Sequence, residues 1–229
     1  MKAKGVIFDC DGVLVDSEVY YLKSLLSYLS SKQIQANLED VIGVLGMSPS
    51  NINRYLRQRY PLEQYTDDEL LEGPRKKMRL LMLENPFQPM PYLKQFMNDC
   101  RDSGLKIAVA SSSGKNYVNS IINQIGVADL IDVVVPGESV VFGKPAPDIY
   151  LLACKILEVT PEEAIAIEDS PNGIKSAKSA GLFTIAYKGS KIAQCTDDAD
   201  MTIDSYNTSL QTILSKSDGL KRETNKSVE

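Results

Sequence analysis

The sequence predicts an α/β protein: a doubly wound parallel sheet with a second, all-helical domain inserted into it. Three observations support this prediction. Short apolar runs alternate along the chain with longer segments of helical period, which is typical of repeated β-α units. Residues 17–88 break that rhythm, because they contain helical patterns and no strand-like run. Hydrophobic residues make up 43% of the 229 residues, enough for a large buried core.

The strand-like runs are apolar on both faces, as expected for parallel strands that helices cover on both sides. They are Gly5–Phe8, Leu105–Ala110, Ile131–Val135, Ala164–Ile167 and Leu182–Ala186. Helical patterns lie between or after them, near residues 92–103, 115–125, 147–158 and 171–180. A glycine comes just after three of these helical patterns, where a left-handed C-cap is common. We expect right-handed crossovers between successive strands.

The interval between the first two runs is too long for a simple crossover, so we predict that residues 17–86 form a separate helical cap. Its helices are expected near residues 17–33, 38–45, 49–59 and 67–84. In the first of these, an apolar stripe has the i, i+3, i+4 spacing of a buried helix face: Tyr21, Leu22, Leu25, Leu26 and Leu29. Residues 1–16 and 87–229 then form the catalytic core, in which the polar segment 216–229 is expected to be a disordered tail.

Composition excludes several kinds of chemistry. There are no histidines, which removes Ser-His-Asp and Cys-His catalysis, His-ligated zinc and imidazole proton transfer. The cysteines are far apart, at positions 10, 100, 154 and 195, which favours a reducing cytoplasm over a disulfide scaffold or a zinc site. A net charge of −5 disfavours general binding to nucleic acid or to an anionic membrane. No uninterrupted apolar window approaches the roughly 18 residues of a membrane span.

Polar side chains follow the strand-like runs at their carboxyl ends, where ligands bind in an open parallel sheet. They are Asp9 and Asp11 after the first run, Ser111 and Ser112 after the second, Lys144 after the third, and Glu168 and Asp169 after the fourth. Several carboxylates in one cleft repel each other unless a cation lies among them, and all-oxygen ligation suits Mg²⁺. Carboxylates, one ammonium and a hydroxyl-rich turn together predict phosphoryl transfer.

The spacing of Asp9 and Asp11 suits two carboxylates that act on one substrate. In an extended chain, residues two apart point to the same side. One carboxylate can attack phosphorus in line, while the other protonates the leaving oxygen and later activates water. Gly12 permits a tight turn directly after them. Cys10 lies between them with its side chain expected toward the core, so we predict a buried, inert thiol.

Four segments in chain order resemble the motifs of the haloacid dehalogenase superfamily, in its β-phosphoglucomutase-like branch with a helical cap. They are DCDGVLVDSE at 9–18, VASSS at 109–113, GKPAPD at 143–148 and IEDSPNGI at 167–174. The resemblance covers nearly the whole chain, including the cap, and it implies a Rossmann-like core. It also implies a phosphate ester as substrate, because relatives that cleave carbon–halogen or phosphonate bonds lack an aspartate at the position of Asp11.

The resemblance implies a role for each motif residue. Asp9 would be the nucleophile that becomes an aspartyl-phosphate, and Asp11 would be the general acid/base. Ser111 and Lys144, with Ser112 beside them, would bind the phosphate. The Mg²⁺ ligands would be Asp9, the backbone carbonyl of Asp11, Asp169 and, directly or through water, Glu168.

The resemblance leaves the reaction open between two enzyme classes. In sugar-phosphate mutases of this branch, a histidine follows the first motif, and an arginine after a Gly-x-Ser turn in the cap holds a second phosphate. Tyr20 or Tyr21 and Pro49 take those positions here. This favours a phosphatase of small phosphorylated metabolites, above all sugar phosphates, because a bisphosphate intermediate needs a second anion grip. A hexose-phosphate mutase is the alternative, in which another cap cation, Arg54, Arg75, Lys76 or Lys77, would hold the second phosphate.

Substrate selection would depend on the cap. The candidate contacts there are Tyr21, Gly46, Met47, Ser48 and Lys76. A non-catalytic binding protein of the same fold is the alternative from another class, and such a protein is expected to lack part of the catalytic set. We expect a monomer whose partner is a small metabolite, with no nucleic acid and no membrane.

Overall fold

The core sheet has six strands, all parallel, in the order β3-β2-β1-β4-β5-β6. The computed structural model describes residues 2–45, 47, 49–192 and 196–226, with only the backbone described at 49, 50 and 220–226. The strands are β1 (Gly5–Phe8), β2 (Lys106–Ala110), β3 (Val133–Val135), β4 (Ala164–Glu168), β5 (Phe183–Tyr187) and β6 (Met201–Ile203). The predicted doubly wound α/β fold is confirmed.

Helices follow the strands in the order that the helical patterns predict. After the helices of the inserted segment come α5 (Leu93–Asp102), α6 (Lys115–Gln124), α7 (Asp148–Leu157), α8 (Pro171–Ser179) and α9 (Leu210–Lys226). The central strand β1 is buried on both faces. Ile7 belongs to the apolar cluster that includes Tyr150 of α7 and Ala177 of α8. Phe8, its neighbour in sequence, points the other way and meets the rings of Phe96 and Tyr206, each at 6.2 Å between centroids.

The inserted residues form a compact unit of their own, Ser17–Phe87, while Met1–Asp16 and Gln88–Glu229 form the other. The inserted unit contains α1 (Ser17–Ser31), α2 (Leu38–Val41), α3 (Pro49–Arg57) and α4 (Asp67–Glu84). Much of the predicted stripe of α1 is buried, and α1 packs against α4. Thr66 begins α4 with a reciprocal capping box: Thr66 Oγ1 accepts from the Glu69 N–H, and the Glu69 carboxylate accepts from the Thr66 N–H.

Three elements differ from the sequence-based expectation. The helix expected at 38–45 is α-helical only to Val41 and continues as a 3₁₀ turn, Ile42–Val44. The edge strand β6 was not predicted, because it has three residues and its middle one, Thr202, is exposed. The tail expected to be disordered from 216 is helical to Lys226, and residues 227–229 lie outside the described part of the chain. A helix begun by apolar Leu210 and Ile213 extends here through polar sequence, in which small Ser217 is buried.

Two segments of the core lead into and out of the inserted unit, and they are bonded to each other. The Met90 N–H donates to the Leu14 carbonyl at 2.8 Å. The turn after β1 is held further by the Tyr206 hydroxyl, which donates to the Val13 carbonyl at 3.1 Å, and by Ser190, whose hydroxyl donates to Asp16 at 2.9 Å. In the part of the chain that the structure describes, no helix is long and apolar enough to cross a bilayer.

Candidate active site

The carboxyl ends of two neighbouring strands, β1 and β4, bring three of the predicted carboxylates together. β1 lies between β2 and β4, and Phe8 at its end pairs in register with Val109 of β2 and Ile167 of β4. Asp9 continues β1, and its N–H donates to the Ile167 carbonyl at 2.9 Å. Glu168 ends β4 and Asp169 follows it, so all three carboxylates of this group lie at one edge of the sheet, and all three are buried.

Lys144 is a buried cation that joins this group. Its ammonium donates to Asp9 Oδ1 at 2.5 Å, to Glu168 Oε1 at 2.6 Å and to the Ala110 carbonyl at 3.0 Å. Its side chain is 6% exposed, and its Nζ lies 5.1 Å from the centre of the Tyr150 ring. A single lysine therefore ties together the carboxyl ends of β1, β2 and β4 and neutralises part of their negative charge.

Glu168 accepts hydrogen bonds from protein donors on both of its oxygens. Oε1 accepts from Lys144 and, at 2.9 Å, from the Tyr150 hydroxyl. Oε2 accepts from the N–H of Asp169 at 3.0 Å and from the N–H and hydroxyl of Ser170 at 3.2 and 3.1 Å. These contacts fix a buried carboxylate in one orientation. They also use most of its capacity to accept further hydrogen bonds or to bind a metal directly.

Two glycines permit the close approach of these carboxylates to the backbone. Gly12 has φ of 75°, a left-handed conformation, and a Cβ at this position would overlap the Asp169 carboxylate. A Cβ at Gly173, in the first turn of α8, would overlap the Glu168 carboxylate. Both glycines are therefore part of the site, because any larger residue would displace one of the acidic groups.

Burial and neighbouring charges shift the pKa values of Asp9 and Lys144. Burial raises the pKa of Asp9 to about 8, Lys144 opposes that rise, and the charges of Glu168 and Asp11 add to it. For Lys144, burial favours the neutral amine, but the carboxylates of Asp9 and Glu168 outweigh it and raise its pKa well above the ordinary range. The lysine thus stays charged, but its one ammonium does not offset the effect of burial and of the neighbouring carboxylates on the pKa of Asp9.

The carboxylates of Asp9, Glu168 and Asp169 fit a metal ion. One oxygen of each lies within 4.8 Å of the others, and a buried set of carboxylates suits a hard dication such as Mg²⁺. A cation among them would also relieve the repulsion that helps to raise the pKa of Asp9. Because Glu168 is held by five protein donors, Asp9 and Asp169 are the better candidates for direct ligands.

The loop after β2 supplies hydroxyl groups next to this cluster. Ser111 is buried, its Oγ accepts from the Ser113 N–H at 3.0 Å, and its own hydroxyl proton can be donated to a phosphoryl oxygen. Ser112, the other predicted phosphate ligand, is exposed. Gly114 is the N-cap of α6, and the N-terminus of this ten-residue helix favours an anion.

Asp11 has partners different from those of Asp9. Its Oδ2 accepts from the Ser113 hydroxyl at 2.8 Å, and its Oδ1 accepts from the Tyr117 hydroxyl at 2.9 Å. Asp11 is half-buried, whereas Asp9 is buried against an ammonium. The two aspartates of the first motif therefore lie in distinct environments, which suits two carboxylates with different chemical tasks.

Tyr117 and Tyr150 were missed by sequence reasoning. Each is the third residue of its helix, since α6 begins at Lys115 and α7 at Asp148. Gly173 has the same position in α8, which begins at Pro171. In all three helices this position lies in the first turn. This position alone would not have identified the two tyrosines, because it does not specify which side chains a helix turns toward the carboxylates.

The predicted substrate contacts in the helical unit lie on different elements of it. Tyr21 of α1 is half-buried, and burial raises the pKa of its hydroxyl against the opposing effect of Arg75. Lys76 of α4 is exposed, as is Met47. Gly46 and Ser48 lie outside the described residues.

A protein-family model described as haloacid dehalogenase-like hydrolase matches residues 3–181. YhcW of Bacillus subtilis (strain 168) is 33% identical over 183 residues, which are 78% of this chain and 80% of YhcW. A phosphorylated carbohydrates phosphatase of Thermotoga maritima is 28% identical over 185 residues, 80% of this chain and 83% of that protein. Beta-phosphoglucomutase of Bacillus subtilis (strain 168) is 29% identical over 187 residues, 80% of this chain and 82% of that protein.

A solved structure agrees with the fold. The crystal structure of CbbY from Rhodobacter sphaeroides in complex with phosphate superposes with a TM-score of 0.72 at 26% sequence identity. The superposition covers 90% of this chain and 95% of that one. The likeness thus extends over both the sheet core and the inserted helices.

Proposed function

The chain belongs to the haloacid dehalogenase-like hydrolase family and is a phosphatase, and from this premise we propose its metal, substrate class and mechanism. It is a Mg²⁺-dependent phosphatase of small phosphorylated metabolites, above all sugar phosphates. It acts through an aspartyl-phosphate. One observation carries the proposal: a buried lysine bonds Asp9 and Glu168 beside a third carboxylate at the ends of three parallel strands. This arrangement combines a carboxylate nucleophile, a fixed positive charge and a metal-binding set.

The first half of the reaction transfers the phosphoryl group to Asp9. A carboxylate oxygen of Asp9 attacks phosphorus, the ester P–O bond breaks, and Asp11 gives its proton to the leaving alcohol oxygen. Lys144 and the hydroxyl of Ser111 stabilise the charge on the transferring group. The hydrogen bond from Lys144 to Asp9 Oδ1 supports this role, because it orients the nucleophile and leaves Oδ2 to attack.

The second half regenerates the enzyme. Asp11, now a carboxylate, takes a proton from water as that water attacks the phosphorus of the aspartyl-phosphate. The acyl-phosphate P–O bond breaks, inorganic phosphate leaves, and Asp9 is again a carboxylate. Bound Mg²⁺ supplies positive charge that offsets the negative charge of the phosphoryl oxygens. Its proposed protein ligands are Asp9, Asp169 and the backbone carbonyl of Asp11, with Glu168 contributing charge or a water-mediated contact.

The proposed sugar-phosphate class draws support from a relative whose name is phosphorylated carbohydrates phosphatase. From the family resemblance, we propose that the helical unit selects the substrate through Tyr21, Gly46, Met47, Ser48 and Lys76. The relative named beta-phosphoglucomutase favours a second candidate, a hexose-phosphate mutase. The absence of histidine and the proline at position 49 weigh against it. We further propose a cytoplasmic monomer, and a net charge of −5 weighs against nucleic acid or an anionic membrane as partner.

The deciding experiment measures phosphate release from a panel of sugar phosphates and related metabolites, with Mg²⁺ and with EDTA. The panel includes β-glucose 1-phosphate with and without a glucose bisphosphate activator. We expect metal-dependent release of inorganic phosphate that Asp9→Asn abolishes. Glucose 6-phosphate formed with little free phosphate would instead identify the mutase. Undiminished turnover by Asp9→Asn would refute the aspartyl-phosphate mechanism.

A further inference from the structure

The Asp11 carboxylate is held by two hydroxyl groups from one short segment. Ser113 Oγ donates to Oδ2 at 2.8 Å, and the Tyr117 hydroxyl donates to Oδ1 at 2.9 Å. Ser113 lies in the loop after β2, and Tyr117 is in the first turn of α6. Because β2 is the sheet neighbour of β1, the segment that ends in these hydroxyls lies beside the turn that contains Asp11.

Hydroxyl groups suit a carboxyl group that must both lose and regain a proton. A serine or tyrosine hydroxyl can donate to a carboxylate and can also accept from a protonated carboxyl group. An ammonium or guanidinium can only donate, so it would favour the ionised form alone. Asp9, which acts as a nucleophile and needs no proton, is paired with the ammonium of Lys144 instead. The two aspartates thus have partners that match their separate tasks.

The two hydroxyls also fix the direction of Asp11. A carboxylate held on only one oxygen can rotate about its side-chain bonds, whereas a contact on each oxygen restricts the rotation of the carboxylate plane. Proton transfer to a leaving group requires the donor oxygen within hydrogen-bond reach of it, so small errors in direction lower the rate. Ser113 is tied in turn to the phosphate-binding loop, because its N–H donates to Ser111 Oγ at 3.0 Å.

We infer that Tyr117, together with Ser113, is a positioning residue for Asp11, holding its carboxyl group in the direction needed for proton transfer to the leaving alcohol and from the attacking water. This inference rests on the proposed function, in which Asp11 is the general acid/base. Tyr117 acts through Asp11 and need not touch the substrate. Replacement of its hydroxyl therefore weakens the step that depends most on protonation of the leaving oxygen.

The test compares substrates that differ in how much their leaving group needs a proton. The leaving group of an alkyl phosphate, such as a sugar phosphate, is a strongly basic alkoxide unless its oxygen is protonated. The leaving group of p-nitrophenyl phosphate is a stable phenolate. For Tyr117→Phe we expect kcat/KM to fall about tenfold with the alkyl phosphate, a part of the 10²–10⁴-fold that general acid catalysis contributes. For p-nitrophenyl phosphate we expect a change in kcat/KM of less than about twofold, since acid catalysis contributes little there. Ser113→Ala, which leaves the backbone N–H to Ser111 intact, should give the same selective loss.

Two controls separate positioning from a merely structural role. Tyr92→Phe removes a hydroxyl from a tyrosine of the same unit that is 59% exposed, and it should leave both substrates unaffected. Because coupled residues are not additive, Tyr117→Phe added to Asp11→Ala should cause no further loss with the alkyl phosphate. The urea midpoint of each variant checks that the fold is retained.

The outcomes are distinguishable. An equal fall in kcat/KM for both substrates, or a further tenfold loss in the Asp11→Ala background, would overturn the positioning role and leave the phosphatase intact. Wild-type-like activity of Asp11→Ala on the alkyl phosphate would overturn the proposed acid/base role itself. Absence of phosphate release by the wild-type protein from the whole substrate panel would overturn the proposed function, and the inference with it.

Discussion

Replacement of Lys144 by methionine tests whether one buried charge holds the carboxylate cluster together. The ammonium contacts Asp9 Oδ1 at 2.5 Å, Glu168 Oε1 at 2.6 Å and the Ala110 carbonyl at 3.0 Å, and the side chain is 6% exposed. Methionine keeps a long unbranched chain and removes the charge. The change leaves two buried carboxylates facing each other without their shared partner.

The expected loss is large. Removing one partner of a buried ion pair destabilises a protein by about 3–5 kcal/mol, because the remaining charge stays uncompensated. For a chain of this size each kcal/mol lowers the melting temperature by about 2–4 °C. We therefore expect Lys144→Met to melt roughly 6–20 °C below the wild type in EDTA. Saturating Mg²⁺ should reduce that difference, because a bound dication offers charge to the same carboxylates.

The assay is thermal and urea unfolding of the wild type and the variant, each with EDTA and with Mg²⁺. Lys175→Met is the matched control, since Lys175 is an exposed lysine of α8 and its loss should change stability by no more than about 0.5 kcal/mol. If Lys144→Met unfolds in EDTA at the same temperature as Lys175→Met, the lysine does not hold the cluster, and the electrostatic reasoning is wrong. Phosphate release by Lys144→Met should also fall, with weaker phosphate binding.

Two further predictions concern Gly12, which lies against Asp169, and Tyr150, which donates a hydrogen bond to Glu168. Gly12→Ala should weaken Mg²⁺ binding measured by calorimetry, because the added Cβ would displace the Asp169 carboxylate. Gly104→Ala is the control. Gly104 has a similar positive φ of 77° but open space around it, so this variant carries the backbone strain without the displacement. Equal Mg²⁺ affinity in the two variants would contradict the role of Gly12. Tyr150→Phe removes a hydroxyl that donates to Glu168 at 2.9 Å, and it should lower the free energy of unfolding by about 1–3 kcal/mol in urea titrations. An unchanged unfolding midpoint would mean that this hydrogen bond contributes nothing.

The sequence predicted the fold because its signals are local. Apolar runs, helical period and glycine caps each occupy a few neighbouring residues, and α4 (Asp67–Glu84) has the bounds that its pattern indicates. Strand β6 and the end of α9 escaped prediction because their apolar signal is too short. Strand β6 has three residues, one of them exposed, and the end of α9 buries the small Ser217. Neither segment has a periodicity that distinguishes it from a loop.

Only part of the site was predictable, because local signals do not identify contacts between residues far apart in the chain. Asp9 and Lys144 stand in motifs at strand ends, and parallel strands bring their carboxyl ends to one edge whatever else the chain does. Tyr117 bonds a residue 106 positions earlier in the chain, and Tyr150 bonds one 18 positions later. Such contacts depend on how a helix rotates as it packs on the sheet, and no local pattern specifies that rotation. Further, the five protein donors to Glu168, which favour Asp9 and Asp169 over it as direct metal ligands, are a property of the folded site alone.

The hydrogen bond between Leu14 and Met90 has a consequence for how the domain insertion is tolerated. It holds the two core segments that flank the insert side by side, so residues 17–87 form a loop that is closed at its base. The entropy lost on closing a loop grows only with the logarithm of its length, and each doubling adds about 0.6 kcal/mol. An insert of half or twice this size would thus change the stability of the core very little. The element proposed to choose the substrate can therefore be lengthened, shortened or exchanged while the strands that hold the carboxylate cluster remain folded.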